Sequence, residues 1–75
     1  MRKLSAKTFL KGMEGLGHSF SCTVHDGEMH IVQRLPDQPA APEQEEPYWR
    51  WLNGPNAKAN KRKLVTHLRD IGRVI

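Results

Sequence analysis

The chain has 75 residues, a net charge of +4 and a hydrophobic fraction of 37%. That length makes one small domain near the lower limit for a self-sufficient core, and no apolar run approaches the roughly 20 residues of a membrane span. A single cysteine, Cys22, excludes an internal disulfide framework and fits a reducing cytoplasm.

Met1-Arg2-Lys3 is basic, but no long apolar stretch follows it, so a secretory signal is not expected. A homodimer or a constitutive partner would relieve so thin a core. The charge is dipolar along the chain. Arg2, Lys3, Lys7 and Lys11 oppose only Glu14 at the start, and Asp37, Glu43, Glu45 and Glu46 fill the middle. From residue 48 onward the basic residues oppose only Asp70. Basic ends around an acidic middle favour polyanions, although charge alone speaks to association and not to fold.

The first element reads as a helix. Ser5 is a good N-cap, and Leu4 and Phe9 stand at the two positions of a hydrophobic staple. Ala6, Phe9, Leu10, Met13 and Leu16 share one face, with Gly17 suited to the C-terminal cap. Gly12 and Gly15 each cost about 1 kcal/mol relative to alanine in a helix interior, so this helix depends on docking.

A hairpin follows. His18 to His25 alternates, Asp26-Gly27 is a type I′ turn signal, and Glu28 to Leu35 is the return strand. A two-residue turn sets Val24 against Met29, Cys22 against Ile31 and Phe20 against Gln33 on one apolar face. Thr23 then opposes His30, His25 opposes Glu28, and Ser21 opposes Val32. From Pro36 to Pro47 the chain is proline-rich and acidic with no periodicity, and it reads as an extended loop.

Tyr48-Trp49-Arg50-Trp51-Leu52 reads as a third strand on its aromatic enrichment and the Asn-Gly-Pro break behind it. A helical turn started by Pro47 is the alternative. The last element is an amphipathic helix opened by Asn53-Gly54-Pro55-Asn56 and closed by Gly72. Ala57, Leu64, Val65, Leu68 and Ile71 make its apolar arc, and Lys58, Arg62, Arg69 and Arg73 fall in a narrow arc beside it. Lys61 lies within the apolar arc and would snorkel from it. Val74-Ile75 is expected to tuck back against the core. The predicted fold is therefore α+β, a single domain over residues 1–75 in the order helix, β-hairpin, third strand, helix. Both helices would cover one face of a small antiparallel sheet.

His18, Cys22, His25 and His30 look like a ligand set, but Cys22 and His25 have opposite parity on one strand and point to opposite faces. At most His25 and His30 remain together, too few for a structural zinc site. No metal or cofactor is expected. Cys22 falls on the apolar face, and no phosphate loop, carboxylate pair or nucleophile elbow occurs, so the chain does not read as an enzyme.

The element order, with Asn53-Gly54-Pro55-Asn56-Ala57-Lys58-Ala59-Asn60-Lys61-Arg62 leading into the last helix, resembles a double-stranded RNA-binding domain. The His18-x-Phe20 start of the first strand is also similar. The resemblance covers the hairpin start and the last helix. It implies that Lys58, Lys61 and Arg62 span phosphates across the major groove, and it leaves Glu14 of the first helix as the candidate for reading a minor groove.

Two functions follow. In the first, Lys58, Lys61, Arg62, Arg69 and Arg73, assisted by Lys7 and Lys11, hold the phosphates of RNA or DNA. In the second, Tyr48, Trp49, Arg50 and Trp51 with the acidic loop contact a protein partner, since aromatic and arginine clusters are the usual hot-spot composition. That would make the chain an inhibitor or adaptor of the kind short phage and plasmid reading frames encode.

Overall fold

The computed structural model describes residues 4–38 and 41–75. Expectations about Met1-Arg2-Lys3, and about Pro39-Ala40 within the acidic loop, lie outside the described residues. The elements run α1 (Ala6–Gly15), β1 (Ser19–His25), β2 (Glu28–Arg34), α2 (Pro42–Asn53) and α3 (Ala57–Asp70). The α+β class stands. Among the described residues no helix is long and apolar enough to cross a membrane.

α1 begins as its sequence dictates: the Ser5 Oγ accepts the Thr8 N–H at 3.1 Å, satisfying one of the donors a helix start leaves open. It ends in a Schellman motif. Gly17 sits at φ +92°, and the N–H groups of Gly17 and His18 reach back to the carbonyls of Glu14 and Met13, both at 3.0 Å. A Cβ at Gly17 would also stand 2.8 Å from the Pro36 Cβ, whereas one at Gly15 would meet nothing within 4 Å. Gly17→Ala should therefore destabilise the fold by about 2 kcal/mol, and Gly15→Ala should stabilise it by about 0.5 kcal/mol. Urea unfolding of the two variants side by side checks the signs, and equal midpoints would contradict the motif.

The hairpin has the register that its turn length requires, from Ser19 opposite Arg34 to His25 opposite Glu28. Asp26 and Gly27 both have positive φ, 52° and 78°, the signature of a type I′ turn. The apolar face closes only along its inner part: Phe20 and Cys22 are buried, but Val24 near the turn is 58% exposed.

Residues 48–52 are not a strand. They form the second half of α2, which begins at Pro42, so the expected loop at 36–47 is also shorter than its composition suggests. Pro42 occupies the first helical position and Glu43 and Glu45 the first turn, which favours helix initiation. Pro47 lies inside the helix, where it gives up one backbone hydrogen bond. Packing offsets that loss, because Glu45, Tyr48, Trp49 and Leu52 fall at i, i+3, i+4 and i+7 and make the inward stripe. Glu45 and Leu52 are buried, and Tyr48, Trp49 and Trp51 are half-buried against the core. Tyr48 lies over Gly12, where a Cβ would approach its Cε1 and Cζ to 2.6 Å. The glycine that weakens α1 is the seat for α2.

The third position of the sheet goes to the C-terminal segment. Val74 makes a parallel bridge to Cys22. The Cys22 N–H donates to the Arg73 carbonyl at 2.9 Å, and its carbonyl accepts the Ile75 N–H at 2.8 Å. The expected return of Val74-Ile75 is thus made by backbone pairing, with both side chains largely exposed. α3 leads into it through a second Schellman turn, in which Gly72 (φ +80°) and Arg73 donate to the Arg69 and Leu68 carbonyls.

Phe9, Met13, Phe20, Cys22, Leu64 and Leu68 form the centre of the core, each essentially inaccessible to solvent. Phe9 stacks on Trp51 at 4.7 Å between centroids and meets Phe20 edge-on at 5.3 Å. The buried Asn60 of α3 donates its Nδ2 to the Trp51 carbonyl at 2.7 Å, tying α3 to the open carbonyls at the end of α2.

Candidate nucleic-acid interface

α3 presents most of its charge on the side away from the core, with Lys61 at the border of its apolar arc. Asn60, Leu64 and Leu68 are buried, while Lys58, Lys61, Arg62, Lys63 and Arg69 are exposed. At 100° per residue Lys58, Arg62 and Arg69 share one outward arc, spanning roughly 16 Å along the axis. Lys61 and Lys63 flank that arc on its two sides. Lys63 lies outside the narrow arc that helical periodicity picks out and is exposed beside it.

Ion pairing separates these cations from the others. Arg50 pairs with Glu46 one turn back on α2, and the Arg73 Nη2 lies 3.1 Å from the Glu14 Oε2. Arg73 therefore stands beyond the end of α3 and holds the tail to α1. The same contact engages Glu14, the residue the resemblance assigned to a minor groove. By contrast, none of Lys58, Lys61, Arg62, Lys63 and Arg69 makes an ion pair among the described residues. Lys7 and Lys11 are likewise exposed and unpaired there, one turn apart on α1.

The aromatic segment is placed differently from the surface that sequence suggested. In a helix Trp49 and Trp51 diverge by roughly 200°. Trp51 turns to Phe9 and Trp49 to the hairpin side, where its Nε1–H donates to the Glu45 Oε1 at 2.9 Å and its ring meets His18 edge-on. Both are partly buried, and Arg50 is exposed on the outer side.

His18 and Glu45 are the largest surprise, a charged residue and an imidazole both buried. The His18 Nε2 lies 3.1 Å from the Glu45 Oε1, and the His18 Nδ1 is 3.1 Å from the Gln33 Nε2. The His18 Nε2 faces the carboxylate and its Nδ1 faces the Gln33 amide. The chain Gln33, His18, Glu45, Trp49 thus joins β2, the start of β1 and α2 through polar groups inside the fold. His25 and His30 share the outer face of the hairpin, with ring centroids 6.3 Å apart. No group of three or more His, Cys, Asp or Glu side chains able to hold a metal occurs among the described residues.

Beside α3 lies a groove of about 700 Å³ between β2, α2 and α3. Trp49, Leu52, Val65 and Ile31 line its walls, with Lys61 and Arg62 from α3 also bordering it. It brings together two groups of residues that sequence assigned to competing functions: Trp49 from the aromatic segment, and Lys61 and Arg62 from the basic helix.

No family model matches this chain, and neither curated proteins nor solved structures show a significant match to it.

Proposed function

We propose that this protein is a nucleic-acid-binding module that lays the outer face of α3 along a phosphate backbone. One observation carries the reading: Lys58, Lys61, Arg62, Lys63 and Arg69 project from one helix, exposed and without ion pairs among the described residues. Cations that serve to solvate or staple a surface are commonly matched by nearby carboxylates, as Arg50 and Arg73 are here. Those of α3 have only Asp70 on the same helix. A helix carrying unmatched charge over several turns fits a polyanion, and such contacts fix orientation while carrying little sequence information.

The lysine-rich start of α3, where Lys58, Lys61 and Arg62 stand in the first turns, makes duplex RNA the form to try first, although the third strand that the resemblance sets before that helix is α2 here. Fluorescence anisotropy with labelled duplex RNA, duplex DNA and single strands, across a salt series, tests the proposal. The expected result is binding whose logarithmic affinity falls linearly with the logarithm of salt, by about 0.9 per phosphate neutralised on a duplex. Absence of binding to all three forms at low salt would overturn it.

A further inference from the structure

The hairpin leaves one edge open, and its geometry says which groups face outward. A two-residue turn makes His25 and Glu28 the hydrogen-bonded pair next to the turn, and such pairs then alternate along the ladder. Val24/Met29, Cys22/Ile31 and Phe20/Gln33 therefore turn their N–H and C=O groups away from the partner strand. Cys22 shows this directly, because both its backbone groups bond to the Arg73–Ile75 segment on the far side of β1. By the same alternation Met29, Ile31 and Gln33 direct theirs to the outer edge of β2. Among the described residues, β1 is the only strand paired with β2.

The groove between β2, α2 and α3 runs along that edge. Met29, His30 and Ile31 all line it, although successive side chains point to opposite faces of a strand. A groove touching all three follows the edge and not one face. Its lining is apolar at Met29, Ile31, Trp49, Leu52 and Val65, with Lys61 and Arg62 as its charged members and no carboxylate.

We propose that β2 accepts an extended, acidic peptide as an additional strand. Its backbone would pair with the outward groups of Met29, Ile31 and Gln33. Its apolar side chains would fill the groove, and its carboxylates would meet Lys61 and Arg62. Main-chain pairing gives such sites their affinity, and alternate side chains give selectivity. The charge of the groove selects this occupant over a second copy of the chain. A second β2 would offer Met29, Ile31 and Gln33 towards the groove with no acid among them, and would bring another Lys61 and Arg62 with it. This inference goes beyond nucleic-acid binding and draws on the same Lys61 and Arg62.

Amide hydrogen exchange by NMR on the full chain tests it. The probes are a capped heptapeptide that carries valine and glutamate on one face with threonine between them, its lysine-for-glutamate counterpart, and a single-stranded oligonucleotide. In the free protein, the amides of Met29, Ile31 and Gln33 should exchange fast while those of His30 and Val32 are protected by β1. The glutamate peptide should slow the first three by about tenfold or more, and the lysine peptide should not. No slowing, or equal slowing by both peptides, overturns the proposal. So does protection by the oligonucleotide instead, which would give the groove to nucleic acid. Protection that grows with protein concentration alone would give it to a second copy and overturns it equally. If α3 fails to bind nucleic acid, the anisotropy series shows that separately, and this exchange pattern stands or falls without it.

Discussion

Replacing Glu45 with leucine should lower the unfolding free energy by about 3 kcal/mol, a large part of what so small a domain has. The carboxylate is buried, stands 3.1 Å from the His18 imidazole and accepts the Trp49 indole N–H at 2.9 Å. Its removal takes the acceptor from the half-buried Trp49 indole and the facing carboxylate from the buried imidazole, and an orphaned buried group costs about 1–3 kcal/mol. Changing the partner as well offsets that loss. His18→Phe added to Glu45→Leu removes the buried pair as a whole, a replacement that is often neutral or stabilising, and leaves only the half-buried Trp49 indole and Gln33 amide without these partners. The double variant should therefore recover part of the loss, a coupling that a double-mutant cycle on urea unfolding reads directly. Additive losses in that cycle would mean the two groups do not support each other.

The second large effect concerns binding. Charge reversal at Lys58 and Arg69 together, Lys58→Glu with Arg69→Glu, should weaken nucleic-acid affinity by about 100-fold near 0.1 M salt. It should also flatten the salt dependence by nearly two phosphates' worth of released counterions, about 1.8 in the logarithmic slope. Both residues are exposed, and neither makes an ion pair among the described residues. Surface changes of this kind usually alter stability by less than about 0.5 kcal/mol. An unchanged melting temperature with lost binding is the expected pair of results. Binding that survives would show that α3's outer face does not carry the contact.

Much of the fold was legible because its signals were local. Ser5, Gly17, Asp26-Gly27 and Gly72 each mark a boundary through backbone chemistry that few other residues supply, and each boundary stands where those residues put it. The hairpin register followed from turn length alone. α2 was not legible for a corresponding reason. Its inward stripe begins with Glu45, which reads as solvent-facing, and Pro47 interrupts the pattern. Burial of that glutamate depends on His18, 27 positions earlier, and no local pattern announces such a partner. Alternate tryptophans then favoured a strand where a helix sends them in different directions, one to Phe9 and one to Glu45. The basic face of α3 was readable from helical periodicity. Which of its cations are matched was not, because Arg73 meets Glu14 through the tertiary fold.

The pairing of Cys22 with residues 73–75 has a consequence for how the chain is made. That contact joins positions 51 to 53 apart in sequence, so the sheet gains its third member only when nearly the whole described chain is available. On the ribosome, the hairpin emerges early with both edges bare, and a lone two-stranded hairpin is at best marginally stable in water. It has no α3 to cover its inner face until residues 57–70 follow. Native contacts this distant in sequence slow folding and expose strand edges meanwhile. Folding should therefore come late in synthesis and all at once, with a nascent chain stalled before residue 73 remaining sensitive to protease along β1.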